Sequence, residues 1–217
     1  WLTYPGVVNA FYIPQYNSIT FPAGILQPPL YRSRGPESIN YGGIGVVIGH
    51  EITHGFDDQG SQFDDEGNAK DWWTEEILRR FLEKAQCIID QYSGFETEVG
   101  NVNGDLTSGE NIADNGGVRQ SYLAYQNWIK NNNGGQEELR LPGLEQITPD
   151  QLFFLGYGNI WCESITLEAL QNQLLGDPHS PARFRVLGAL HNSATFAEKW
   201  GCPVGSPMNP SDKCVLW

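Results

Sequence analysis

The sequence predicts a mainly helical domain with a small β portion. Three observations point that way. Helical periodicity occupies residues 41–55, 74–93, 109–131, 149–161 and, with breaks, 180–199. Two of these stretches carry start signals: Thr74 stands as an N-cap, and Thr148 precedes Pro149 at a first helical position, where a missing N–H costs nothing. Extended character is confined to residues 7–21, where β-branched and aromatic residues are broken by Pro14 and Asn17-Ser18.

In chain order, the extended stretch gives way to a loop rich in proline and glycine from Pro22 to Pro36. The helix over 41–55 begins with an apolar run holding Gly42, Gly43, Gly45 and Gly49. Glycine costs a helix about 1 kcal/mol relative to alanine, so four of them indicate close packing against a neighbouring backbone. Gly55 then serves as a stop or bend. The acidic cluster Asp57, Asp58, Asp64, Asp65 and Glu66 lacks the spacing of a calcium loop and reads as a solvated turn or hairpin. Asn131 to Gly135 is a polar turn, and Gly201 to Ser211 a tail rich in proline and glycine.

Composition narrows the function. With 26 acidic against 13 basic residues, the net charge of −13 argues against nucleic acid, whose phosphates require a basic surface, and disfavours anionic membranes. No apolar run approaches the 18 or so residues that a membrane-spanning helix needs. A peptide substrate stays open, because a local site can differ from the mean field.

The chemistry concentrates at His50-Glu51-Ile52-Thr53-His54. Residues four apart on a helix share a face, so two imidazoles can bind one metal while the adjacent Glu51 points toward its open side. A hydrolytic zinc takes three protein ligands and a water, which leaves one ligand to find. Glu110 supplies it, in Glu110-Asn111-Ile112-Ala113-Asp114, where a second carboxylate again lies four residues on. One of these carboxylates can bind metal while the other supports a ligand histidine. Glu51 is then the general base that takes a proton from water and delivers it to the leaving amine. Val46 and Val47, one turn before His50, should form an apolar wall beside the metal.

These motifs resemble the catalytic end of the neprilysin family of zinc metalloendopeptidases. Matching segments include Val8-Asn9-Ala10-Phe11-Tyr12, residues 21–29, Asn40 through Asp58, Gly109 to Gly117, His179-Ser180-Pro181, Phe184-Arg185-Val186 and Cys214-Val215-Leu216-Trp217. The resemblance implies a thermolysin-like zinc peptidase catalytic domain over residues 1–217, part of a larger ectodomain with a further helical domain upstream. It implies one zinc held by His50, His54 and Glu110, with Asp114 supporting His50. It gives His179 the role of donating to the transition-state oxyanion and Arg185 that of binding a substrate carbonyl, with a structural salt bridge as the competing reading for Arg185. Asn9 and Ala10 would hydrogen-bond the peptide. Ile25, Ile160 and Trp161 would join the pocket for a large hydrophobic residue after the scissile bond. Ordinary core packing competes for each apolar residue.

Four cysteines permit three pairings. The resemblance implies a Cys87–Cys214 bridge, with Cys162 and Cys202 pairing to cysteines upstream. Disulfides suit an extracellular setting, as the ectodomain of a type II membrane protein or a secreted form. The competing function is a catalytically inactive family member acting as a binding module, against which stand the intact Glu51, Glu110, Asp114, His179 and Arg185. An aminopeptidase is disfavoured because its Gly-x-Met-Glu-Asn string is missing: the only methionine, Met208, precedes Asn209.

Overall fold

A computed structural model describes residues 3–217. The architecture is the mainly helical one expected, with two small antiparallel hairpins at its margins. Strands β1 (Phe11–Ile13) and β2 (Ser18–Thr20) pair with Tyr12 opposite Ile19, joined by a tight turn that places Asn17 in the left-handed region. Asparagine tolerates that conformation better than most side chains. The extended stretch is thus shorter than residues 7–21 suggested. Strands β3 (Glu96–Thr97) and β4 (Gly100–Asn101) form the second hairpin.

Helix α1 (Glu37–Asn40) runs through a wide π turn at Tyr41–Gly45 into α2 (Val46–Thr53). Ser121 donates its hydroxyl to the Tyr41 carbonyl at 2.6 Å, which satisfies a main-chain acceptor at that irregular turn. The glycines of this segment do mark close packing. Helix α4 (Ser108–Asn132) lies across α2, and a Cβ on Gly49 would sit 2.9 Å from the Gly117 carbonyl oxygen. Neither helix can carry a side chain at this crossing without parting from the other.

Helix α3 (Glu75–Ser93) is capped by Thr74, whose hydroxyl accepts from the Ile77 amide. Helix α5 (Pro149–Ile160) opens with Thr148 and Gln151 capping each other reciprocally. The stretch 180–199 divides into α7 (Ala182–Asn192) and α8 (Ala194–Lys199), because Ser193 leaves the helix and caps the next one through the Phe196 amide. Helix α6 (Leu167–Gly176), capped by Thr166, was not anticipated.

One core gathers Tyr122, Tyr125, Phe153, Phe154 and Tyr157 between α4 and α5. A second packs Phe81, Ile88 and Tyr92 of α3 against Ile112, Phe184 and Leu216. The Cys87–Cys214 disulfide ties α3 to the C-terminal tail, as the resemblance implied. Lys84 donates to the Leu216 carbonyl, and Arg119 of α4 donates to the carbonyl of Trp217. No helix among the described residues is long and apolar enough to cross a membrane.

Candidate metal and active site

Helices α2 and α4 cross at their glycines, and the crossing brings His50, His54 and Glu110 together. One ligand atom from each lies within 4.8 Å of the others. His50 Nε2 is 3.1 Å from Glu110 Oε2, His54 Nε2 is 3.7 Å from Glu110 Oε1, and the two Nε2 atoms are 2.9 Å apart. Each ring is fixed from behind by a carboxylate. Asp114 Oδ1 lies 2.9 Å from His50 Nδ1, and Asp57 Oδ2 lies 2.6 Å from His54 Nδ1.

These partners assign the tautomers. A proton on each Nδ1 serves the carboxylate behind it, so both Nε2 atoms present lone pairs to each other and to Glu110. Three facing acceptors repel unless a cation lies among them. A proton on His50 would relieve part of the conflict: burial opposes charging the ring, but Asp114 and Glu110 outweigh it and raise its pKa to about 9. A divalent cation relieves all three donors at once. Glu110 Oε2, buried and without a hydrogen-bond partner, fits the same reading. Two imidazoles and a carboxylate are a suitable donor set for zinc.

Burial also opposes ionisation of Glu110, yet the surrounding histidines hold its pKa down at about 2. Asp114 is held well below the usual carboxylate range against its own burial, chiefly by Arg185. That guanidinium grips Asp114 with two hydrogen bonds of 2.7 Å, from Nε and Nη2. Its other face lies 4.0 Å from the Trp161 ring centroid, a cation–π contact. The salt bridge that competed with substrate binding for Arg185 is therefore made. Glu51 is 5% exposed, and burial is the main cause that pushes its pKa upward.

One cleft of about 640 Å³ is lined by every residue that the sequence reading placed in the site: Asn9, Ala10, Ile25, Val46, Val47, His50, Glu51, His54, Glu110, Asp114, Ile160, Trp161, His179 and Arg185. Ala10, Ile25 and Val46 are also core residues, so packing and lining coincide in them. His191 lies outside this cleft and packs near Phe95. A larger cavity of about 1370 Å³ sits elsewhere, between the loop at 26–36 and helices α5, α7 and α8, and no acid or histidine lines it.

One reading needs correction. Asp57 is not part of a solvated turn: it is 5% exposed, one oxygen on His54 and the other accepting from the amides of Gln59 and Gly60. Only the later part of that acidic cluster forms a surface turn, closed by Asp64 and the Phe63–Ala69 bridge. Asp177 was also missed. It accepts from both the backbone amide and the ring Nδ1 of His179, and so turns His179 Nε2 toward Glu110 Oε2, 3.3 Å away. The available signal in both cases was an acid two or three residues from a candidate site histidine.

A model of peptidase family M13 matches residues 9–216. Neprilysin-11 of Caenorhabditis elegans is 52% identical over 98% of this chain and 25% of its own length. Human endothelin-converting enzyme 1 is 50% identical over the whole chain and 28% of its own length. The chain thus spans about a quarter of the curated relatives it matches. Among solved structures, a Haemonchus galactose-containing glycoprotein complex superposes with a TM-score of 0.93 at 43% identity, over all of this chain and 36% of that one. The zinc metalloprotease Zmp1 of Mycobacterium tuberculosis gives 0.86 at 39% identity, over 94% and 31%. With the family's pattern running almost end to end and half of its residues shared with such relatives, the chain belongs to peptidase family M13.

Proposed function

We propose that this chain is the catalytic part of a zinc-dependent endopeptidase that cuts oligopeptides before a large hydrophobic residue. The observation that carries the reading is the convergence of three cation-seeking acceptors with a buried carboxylate, Glu51, in one cleft. His50, His54 and Glu110 would hold one zinc. When bound, it would supply Lewis-acid polarisation of the scissile carbonyl and of a water molecule.

The protein groups do the rest. Burial raises the proton affinity of Glu51, which suits a base that takes a proton from water and returns it to the leaving amine. His179, its Nδ1 proton on Asp177, donates to the developing oxyanion from Nε2 in its doubly protonated form, in which both ring nitrogens carry a proton. Arg185 spends Nε and Nη2 on Asp114, which leaves Nη1 for a substrate carbonyl. Asn9 and Ala10 flank the entry to β1, where an extended peptide can hydrogen-bond to backbone and amide. Val46, Val47, Ile25, Ile160 and Trp161 wall the apolar side of the cleft.

The reading includes a larger extracellular protein. Cys162 and Cys202 carry free thiols among the described residues, and we assign their partners to an upstream domain of the same polypeptide. The test is cleavage of end-blocked peptides, with and without a zinc chelator, followed by mass spectrometry. Chelator-sensitive cuts before Phe, Leu or Ile are expected. Absence of cutting by the zinc-loaded chain would mean that the upstream domain is required or that the chain serves only to bind, and absence of cutting by the zinc-loaded full-length protein would refute catalysis.

A further inference from the structure

We propose that Ser180 and Asn111 are positioning residues that register His179 against the metal-binding turn of α4. The proposal rests on the oxyanion role given to His179 above. His179 needs two kinds of alignment: its ring must be oriented within its own loop, and the loop must be held against α4. Asp177 provides only the first. It belongs to the same loop, its side chain is 43% exposed, and it moves wherever His179 moves.

The second alignment comes from a buried polar chain. Ser180 Oγ donates to Asn111 Oδ1 at 2.8 Å. The Asn111 amide donates to Thr107 Oγ1 at 2.9 Å, and Thr107 passes its own proton to the Asn103 carbonyl at 2.9 Å. All three side chains are almost fully buried, and Asn111 has no exposed surface. Every donor runs in one direction, so flipping the Asn111 amide would strand a hydroxyl proton or a carbonyl inside the protein. Such a chain has one low-energy arrangement. Asn111 directly follows Glu110, and Ser180 directly follows His179. The bond therefore couples the backbone that carries a metal ligand to the backbone that carries the oxyanion donor. Pro178 and Pro181 limit the loop's other freedom.

The experiment is a double-mutant cycle in the full-length, zinc-loaded protein, measured on an end-blocked peptide. Ser180→Ala is expected to lower kcat about tenfold to hundredfold, the effect of a misplacement near 1 Å, with KM and zinc affinity changed less than about twofold. In a His179→Ala background the same substitution should cost less than about twofold, because nothing remains to position. Asn111→Ala should behave alike, and serves if Ser180→Ala fails to fold. An equal loss in both backgrounds, or loss of zinc, would overturn the proposal and make the chain merely structural. Unchanged kcat in Ser180→Ala would also overturn it. Full activity in His179→Ala alone would instead sink the oxyanion reading, and the positioning role with it.

Discussion

The glycine crossing of α2 and α4 sets the distance between the histidines and Glu110, and a single methyl group tests that. In Gly49→Ala the new Cβ would lie 2.9 Å from the Gly117 carbonyl oxygen and 3.0 Å from its Cα, where ordinary contact begins at 3.4 Å. Both neighbours are backbone, so the helices must part by roughly 0.5 Å. Ligand distances in a metal site tolerate about 0.2 Å. Overpacking of this kind costs about 1–3 kcal/mol, and metal binding requires the parting to be undone. Zinc should therefore bind about tenfold to hundredfold more weakly, tenfold being about 1.4 kcal/mol. Apo-protein stability falls less, because alanine recovers about 1 kcal/mol of helix propensity. Competition with a chromophoric chelator gives the affinity. Gly158→Ala on α5, with nothing within 4 Å of its would-be Cβ, is the control and should leave zinc binding unchanged. Wild-type affinity in Gly49→Ala would refute the argument that this contact sets the ligand spacing.

Three further outcomes follow from the site and its surroundings. Glu51→Gln should keep zinc, measured by metal analysis, and lose roughly 10²–10⁴-fold in turnover, the range for a general base. Asp57→Ala should weaken zinc about 10- to 100-fold in the same chelator competition, because His54 loses the carboxylate that fixes its tautomer. His191 supplies a pH dependence: burial first, and then the charge of Lys213, lowers its pKa below the ordinary 6.5. The unfolded chain then takes the proton more readily, so the stability His191 allows is complete above about pH 6.5 and declines as pH falls through its lowered value. Urea midpoints across that window should flatten in His191→Gln, and an unchanged slope would assign the effect to other groups.

The elements that were legible carry their instructions locally. Helix α5 announces itself through Thr148, Pro149 and Gln151, and α3 through Thr74, because capping chemistry is a matter of neighbours in sequence. Helix α6 hid because only Leu170 of its ten residues is buried, so its apolar pattern was weak. The metal set was legible because a one-turn spacing forces His50 and His54 together before any tertiary fact is known. Asp57 was not. Asp58 stands beside it and Asp64, Asp65 and Glu66 follow closely, and only the folded turn decides which carboxylate goes inward. The Ser180–Asn111 bond spans 69 residues, and no periodicity reports it.

The carboxylates behind the two ring nitrogens are differently occupied. Asp57 gives His54 one oxygen undiluted, its other oxygen engaged by neutral amides. Asp114 divides its charge between His50 and a guanidinium. The repeated histidines of the motif are thus held unequally: His54 by a carboxylate that serves no other charge, His50 by one shared with Arg185. Removing Asp57 would therefore free one ring, whereas removing Asp114 would free a ring and leave a buried guanidinium unpaired.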